Sequence, residues 1–111
     1  MNIKQYPIEN IDISKVLELP FNRIKKEKQI KSLMNAVTNV GILRTPVYVK
    51  TKAITGKKEL YSLDGQHLLE GCKRFEVKTV KGIVVETESI SEMVNMMAGL
   101  NNVNQKWTLI D

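Results

Sequence analysis

Between Tyr61 and Glu70 the chain changes periodicity across a single glycine. Tyr61-Ser62-Leu63 reads as the end of an apolar strand, Asp64-Gly65 is a turn signal, and a helical pattern starts at Gln66. The first N–H groups of a helix have no partner inside it, and the helix dipole makes that end attractive to anions. A glycine at the junction lets a phosphate approach the backbone closely. Gln66 and His67 fall in the first turn, where their side chains can add hydrogen bonds, and Lys73 and Arg74 follow on the same helix. The same residues also suit an ordinary tight turn, with Asp64 as a favoured helix N-cap.

The remaining patterns arrange themselves around this junction. Residues Glu27 to Val40 predict an amphipathic helix, with Ile30, Leu33, Met34, Val37 and Val40 on one stripe and Gly41 as the stop. Upstream, Ile8 to Leu19 contains a short strand that ends in a turn at Leu19-Pro20-Phe21-Asn22. Pro46 to Lys50 is a β-branched strand, Lys52 to Lys58 a polar loop, and Glu59 to Leu63 the returning strand. The helix after Gly65 places Leu68, Leu69, Cys72 and Phe75 inward, and Thr79 to Thr87 is a further strand. Ser89 or Ser91 caps a last helix that carries Met93, Met96, Met97 and Leu100 and is broken by Asn101-Asn102. Ser89 and Glu92 have capping-box spacing. Strands and helices mix without regular alternation, so the expected class is α+β, a small mixed sheet with packed helices.

Length and composition set the frame. The 111 residues suit one domain over positions 1–111, and 42% hydrophobic with 26% charged residues is ordinary globular usage. A single cysteine, Cys72, excludes an internal disulfide and a Cys/His zinc set, and suits a reducing cytoplasm. The N-terminus lacks the apolar core of a signal peptide, and no run reaches membrane-spanning length, so no membrane partner is expected. A net charge of +5 favours anionic partners.

Arg23, Lys25, Lys26, Lys28 and Lys31 cluster around the first long helix, either to track phosphates or as a solvated face. His67, the only histidine, and Glu70 are the candidates for catalysis, but neither has a nucleophile or second carboxylate at a telling distance in sequence. No metal set is legible. Trp107 either stacks on a base or anchors the chain's last residues.

The stretch Asp64-Gly65-Gln66-His67-Leu68-Leu69-Glu70-Gly71 resembles the Asp-Gly-Gln-His-Arg-Leu-x-Ala motif of phage and plasmid members of the ParB/sulfiredoxin superfamily. Other short segments match the family in the same order: Leu19-Pro20-Phe21-Asn22-Arg23, Ile30-Lys31-Ser32-Leu33, Gly41 to Val49, and Leu100-Asn101-Asn102 with Trp107-Thr108. The resemblance covers nearly the whole chain. It implies a ParB-like domain that binds DNA or a nucleotide at the Gly65 turn, in partition, phage or mobile-element DNA transactions. Members usually continue past this point, so the chain is compatible with the N-terminal part of a longer protein. A homodimer is left open.

By the same resemblance, Asp64, Gly65, Gln66, His67, Arg23, Asn101 and Asn102 are the phosphate or nucleotide residues. Lys25, Lys26, Arg44, Lys73 and Arg74 are the expected DNA-facing cations. CTP or ATP is the expected nucleotide. Asn101 falls where partition proteins have a glutamate, which argues against a tight magnesium site. Leu68 replaces the usual arginine and removes a bidentate phosphate grip. Gln66 stands where sulfiredoxins carry their cysteine, so peroxiredoxin repair is not expected. The alternatives are a metal-dependent nuclease of the same fold and a protein-interaction module with a degenerate pocket.

Overall fold

The helix that begins at Gln66 lies against the helix predicted over residues 27–40, and both rest on a five-stranded mixed sheet. The computed structural model describes residues 3–21 and 25–110, with side chains through Leu100. The elements in chain order are β1 (Glu9–Asp12), β2 (Val16–Glu18), α1 (Glu27–Val40), β3 (Val47–Thr51), β4 (Glu59–Ser62), α2 (Gln66–Arg74), β5 (Thr79–Glu86) and α3 (Ile90–Ile110). The sheet order is β1-β5-β3-β4-β2. β5 pairs antiparallel with β1 and parallel with β3, while β4 pairs antiparallel with β3 and parallel with β2. This is the expected α+β arrangement.

Between Ile8 and Leu19, where the sequence suggests a single short strand, the structure has two, on opposite edges of the sheet. A single 3-10 turn over Ile13–Lys15 separates them. Asp12 caps that turn: its Oδ1 accepts from the Ser14 N–H at 3.0 Å and the Ser14 hydroxyl at 2.7 Å. The chain therefore leaves the sheet after one edge and rejoins it at the other.

Strand β3 is central, and its successive side chains point to opposite faces. Tyr48 enters a core with Ile11, Ile13, Val16, Ile30, Met34, Leu68, Leu69, Cys72 and Val80. Val49 enters a second core with Leu19, Tyr61, Leu63, Val85 and Met93. The first core lies under α1 and α2, and the second is covered by the first turns of α3. Burying a side chain such as Ile30 or Met34 contributes roughly 1.5–3 kcal/mol.

Helix α1 has the predicted bounds, but Val40, the last residue of the helix, is exposed. Phe75 is exposed as well: it is the C-cap of α2, past the last turn that faces the core. Ser89 caps α3, accepting from the Glu92 N–H at 3.1 Å. Glu92 does not return to Ser89 but takes the Thr87 hydroxyl at 3.2 Å, so only half of the capping box forms. The expected break at Asn101-Asn102 does not occur, and α3 continues to Ile110. Asparagine in a helix costs less than about 1 kcal/mol, too little to end one by itself.

Two glycines set the packing distances. A Cβ on Gly71 would lie 2.4 Å from Cγ and Sδ of buried Met34, so its absence lets α1 approach α2. A Cβ on Gly82 would lie 2.4 Å from the Tyr48 ring, which covers the strand at that point. Gly71→Ala and Gly82→Ala are each expected to cost about 1–3 kcal/mol in urea unfolding. Met34→Ala in the Gly71→Ala background should cost less than the two changes summed. Gly99, with open space where its Cβ would be, should instead gain roughly 0.5–1 kcal/mol on change to alanine.

Candidate functional site

The turn before α2 is held by the backbone. The N–H groups of Leu63 and Asp64 both donate to the Val47 carbonyl, at 3.0 and 3.1 Å, and fix the exit from β4. Gly65 follows in the left-handed region, at φ 88° and ψ 37°, and its carbonyl accepts from the Leu69 N–H at 2.9 Å. Gly65 itself is the N-cap, which places Asp64 one residue outside the helix. The expected Asp64 N-cap is therefore corrected: Gly65 holds that position and has no side chain to cap with, and the buried Asp64 carboxylate takes the Arg44 guanidinium. A buried carboxylate requires such a partner.

On the other flank, His67 Nε2 accepts from the Lys26 N–H at 3.3 Å. That contact needs a neutral ring, and burial, followed by the charges of Lys25 and Lys26, lowers the His67 pKa. Lys25 reaches between Glu18 on β2 and Glu70 on α2, with 2.9 Å to Glu70. Desolvation alone would lower the Lys25 pKa, but the hydrogen bonds of the two glutamates raise it. Arg74 holds Glu27 through two bonds of 2.6 Å and Glu70 at 3.1 Å. The Lys73 ammonium donates to the Val16 carbonyl at 2.7 Å.

The structure thus brings Asp64, Gly65, Gln66, His67, Glu70, Arg44, Lys25 and Lys26 around the first turns of α2. Lys73 and Arg74 lie at the other end of the helix. Arg23 is outside the described residues, as are the side chains of Asn101, Asn102 and Trp107. Among the described residues no three His, Cys, Asp or Glu side chains gather to hold a metal ion, and no helix is long and apolar enough to cross a membrane. Cys72 is buried, and burial raises its thiol pKa.

Sequence reasoning missed the space beside the turn. A cavity of about 280 Å3 opens between α1 and the start of α2, walled by Leu33, Val37, Ile42, Leu43, Pro46 and Leu68, with Arg44, Asp64 and Gly65 along it. Ile42 and Leu43 sit in a loop, and Leu43 is 84% exposed. Two large aliphatic residues directly after a helix-ending glycine were the available signal.

No protein-family model matches the chain, and no curated protein resembles it in sequence. Solved structures do match. ParB from Caulobacter crescentus, complexed with CTP-gamma-S, is similar at a TM-score of 0.72 and 18% identity, over 86% of this chain and 52% of that one. A Pnob8-like ParB-N domain matches at 0.68 and 17%, over 93% of this chain and 40% of that one. Sulfiredoxin from Arabidopsis thaliana matches at 0.56 and 16%, over 83% of this chain and 97% of that one. The chain therefore has a ParB/sulfiredoxin-like fold, and it spans about half the length of that C-terminally truncated Caulobacter chain.

The acidic side chains at the site give stability a defined pH dependence. The Lys25 hydrogen bond, with help from Arg74 and against partial burial, holds the Glu70 carboxyl below its ordinary 4.5. A lowered carboxylate pKa contributes stability above the unfolded value and loses it as pH falls through the folded one. The lowered His67 pKa acts in the same direction at higher pH, beginning below its ordinary 6.5. Urea midpoints should therefore fall on acidification in both ranges. Glu70→Gln should flatten the lower one; an undiminished drop there would remove Glu70 as its source.

Proposed function

We propose that the chain is a nucleotide- or DNA-binding domain that holds a phosphate at the start of α2. The observation carrying this reading is the start of α2 at a left-handed Gly65, a cap residue with no side chain to bond the first N–H groups, with an apolar cavity of about 280 Å3 alongside. The N–H groups of a helix start suit a phosphate, and a mostly apolar recess with polar groups at its edge suits a base or sugar. Gly65 allows the approach. Gln66 and His67 hydrogen-bond the phosphate, with His67 donating through Nδ1 while Nε2 keeps the Lys26 N–H. Asp64 acts through Arg44, which it orients at the cavity.

Arg23, Asn101 and Asn102 complete the ligand set in this reading, and Lys25, Lys26, Arg44, Lys73 and Arg74 face DNA. The Caulobacter relative in complex with CTP-gamma-S supports a nucleotide at this fold, and a second structure of that protein, complexed to the centromeric parS site, supports DNA. The cellular setting we propose is a cytoplasmic DNA transaction of partition, phage or plasmid type.

Calorimetry with CTP, ATP, their monophosphates and duplex DNA tests this reading on wild type and Gly65→Ala. A Cβ at Gly65 would meet only ordinary contacts, 3.7 Å from Pro46 and 3.9 Å from Leu68. The substitution therefore acts through the left-handed backbone, at a cost of about 1–2 kcal/mol, which leaves a foldable protein. Nucleotide affinity should fall by about tenfold or more, the effect of losing one or two well-placed N–H bonds. DNA binding without nucleotide binding would move the function to the basic surface, and no binding of either would end the proposal.

A further inference from the structure

His67 ties the first turn of α2 to the start of α1. Its Nε2 accepts from the Lys26 N–H at 3.3 Å, and Lys26 is the N-cap of α1, in extended backbone and with no side-chain cap bond of its own. This contact fixes the hydrogen of the ring. With Nε2 as acceptor, the single ring hydrogen sits on Nδ1, and a second proton has only Nε2 to occupy. Once Nε2 carries that proton, two N–H groups face each other and the contact with Lys26 is lost. Among the described residues, the charged groups around the ring are Lys25 and Lys26 from the chain entering α1, Glu70 one turn along α2, and Glu18 of β2. Both glutamates are bonded to Lys25. In the empty site, burial and the two lysines therefore keep the ring neutral.

Resting on the phosphate-site reading above, we infer that the site couples a phosphate to a proton: an anion held at His67 draws a proton onto Nε2, which releases the Lys26 N–H and so signals occupancy to the start of α1. An anion within hydrogen-bond reach of the ring favours its charged form, and the empty site has no such pull. At high pH the neutral ring keeps both contacts, Nδ1–H to the phosphate and Nε2 to Lys26. As pH falls, the occupied site takes up the proton first, because its ring titrates at a higher pH than the ring of the empty site. The sign follows from linkage: the gain in affinity is complete below the pKa of the empty site and is lost as pH rises through that of the occupied one. The segment released is the one from which Lys25 reaches Glu18 and Glu70. Binding at α2 is thus regulated by pH and is reported at α1.

The probe is a short single-stranded oligonucleotide without terminal phosphates, since a phosphomonoester itself titrates near pH 6, roughly, and would mask the effect. Calorimetry at about pH 6, in two buffers of different ionisation enthalpy, should show proton uptake on binding to wild type. Affinity should rise by about tenfold from about pH 8 to about pH 5, as a pKa raised by about one unit requires. Nitrogen NMR of the ring should find the hydrogen on Nδ1 alone in the free protein and on both nitrogens in the complex at about pH 6. Exchange of the Lys26 amide should quicken on binding at that pH and stay unchanged on binding at about pH 8. His67→Gln offers an oxygen to the Lys26 N–H but cannot take a proton. It should abolish the proton uptake and the gain at low pH, and leave Lys26 exchange unmoved by the ligand. The wild-type measurements stand by themselves if His67→Gln is poorly folded.

Binding to wild type without proton uptake, or an undiminished gain at low pH in His67→Gln, overturns the inference. The two readings fail differently. If Gly65→Ala weakens the oligonucleotide but wild type takes up no proton, the phosphate site stands and only the coupling falls. If wild type binds no oligonucleotide, or Gly65→Ala binds it as well as wild type does, the phosphate site falls and the coupling with it.

Discussion

The approach of α1 to α2, with Met34 lying over Gly71, sets the geometry on which the candidate site depends. Without a side chain at position 71 the two helices come close enough for the chain entering α1 to touch the first turn of α2. That contact brings the Lys26 N–H to His67, and it brings Lys25 and Glu27 to Glu70 and Arg74. At the other end of α1 the same approach leaves the wedge that becomes the cavity. A wider spacing would break the ion-pair braces and open the wedge to solvent. The core contact and the site are therefore one construction, since both follow from how near one helix lies to the other.

Counting lysines and arginines misjudges the local field. The chain carries a net charge of +5, yet Lys25, Arg44 and Arg74 are each paired with carboxylates, whereas among the described residues Lys26, beside His67, is in no ion pair. Exposed Lys28, Lys31, Lys78 and Lys81 lie on other parts of the surface. Such ion pairs are partly exposed and each contributes little to stability. Their consequence here is electrostatic: they lower the charge that an incoming anion meets and hold Lys25 and Arg74 in fixed positions.

What was legible in the sequence was local. The stripe from Ile30 to Val37 gave α1 its bounds, because a helix records its own periodicity, and Gly65 announced the turn because few other residues adopt φ 88°. The separation of β1 from β2 was not legible, since three- and four-residue strands have almost no period and their placement on opposite edges comes from pairing with β5 and β4. Val40 and Phe75 kept the periodicity of their helices but lay past the point where a neighbour covers them. The role of Asp64 failed for a related reason. Its residue type suits an N-cap, but the left-handed Gly65 takes that position, and Arg44, twenty residues upstream, claims the carboxylate. Pairings across such a distance leave no local trace.

Leu68 and Glu70 gain meaning when taken together. In the motif this stretch resembles, the residue after the histidine is an arginine, whose guanidinium would need an anion once it was covered. Here Leu68 is 8% exposed, joins the first core and forms part of the cavity wall. That change removes a positive charge from one flank of the α2 N-terminus, and Glu70 adds a negative charge to the other. In the proposed reading both changes act in the same direction: they place more of the recognition on backbone N–H groups and apolar contact than on side-chain cations. A phosphate site of the proposed kind depends on how closely a ligand can approach Gly65, whose missing Cβ leaves the backbone open there.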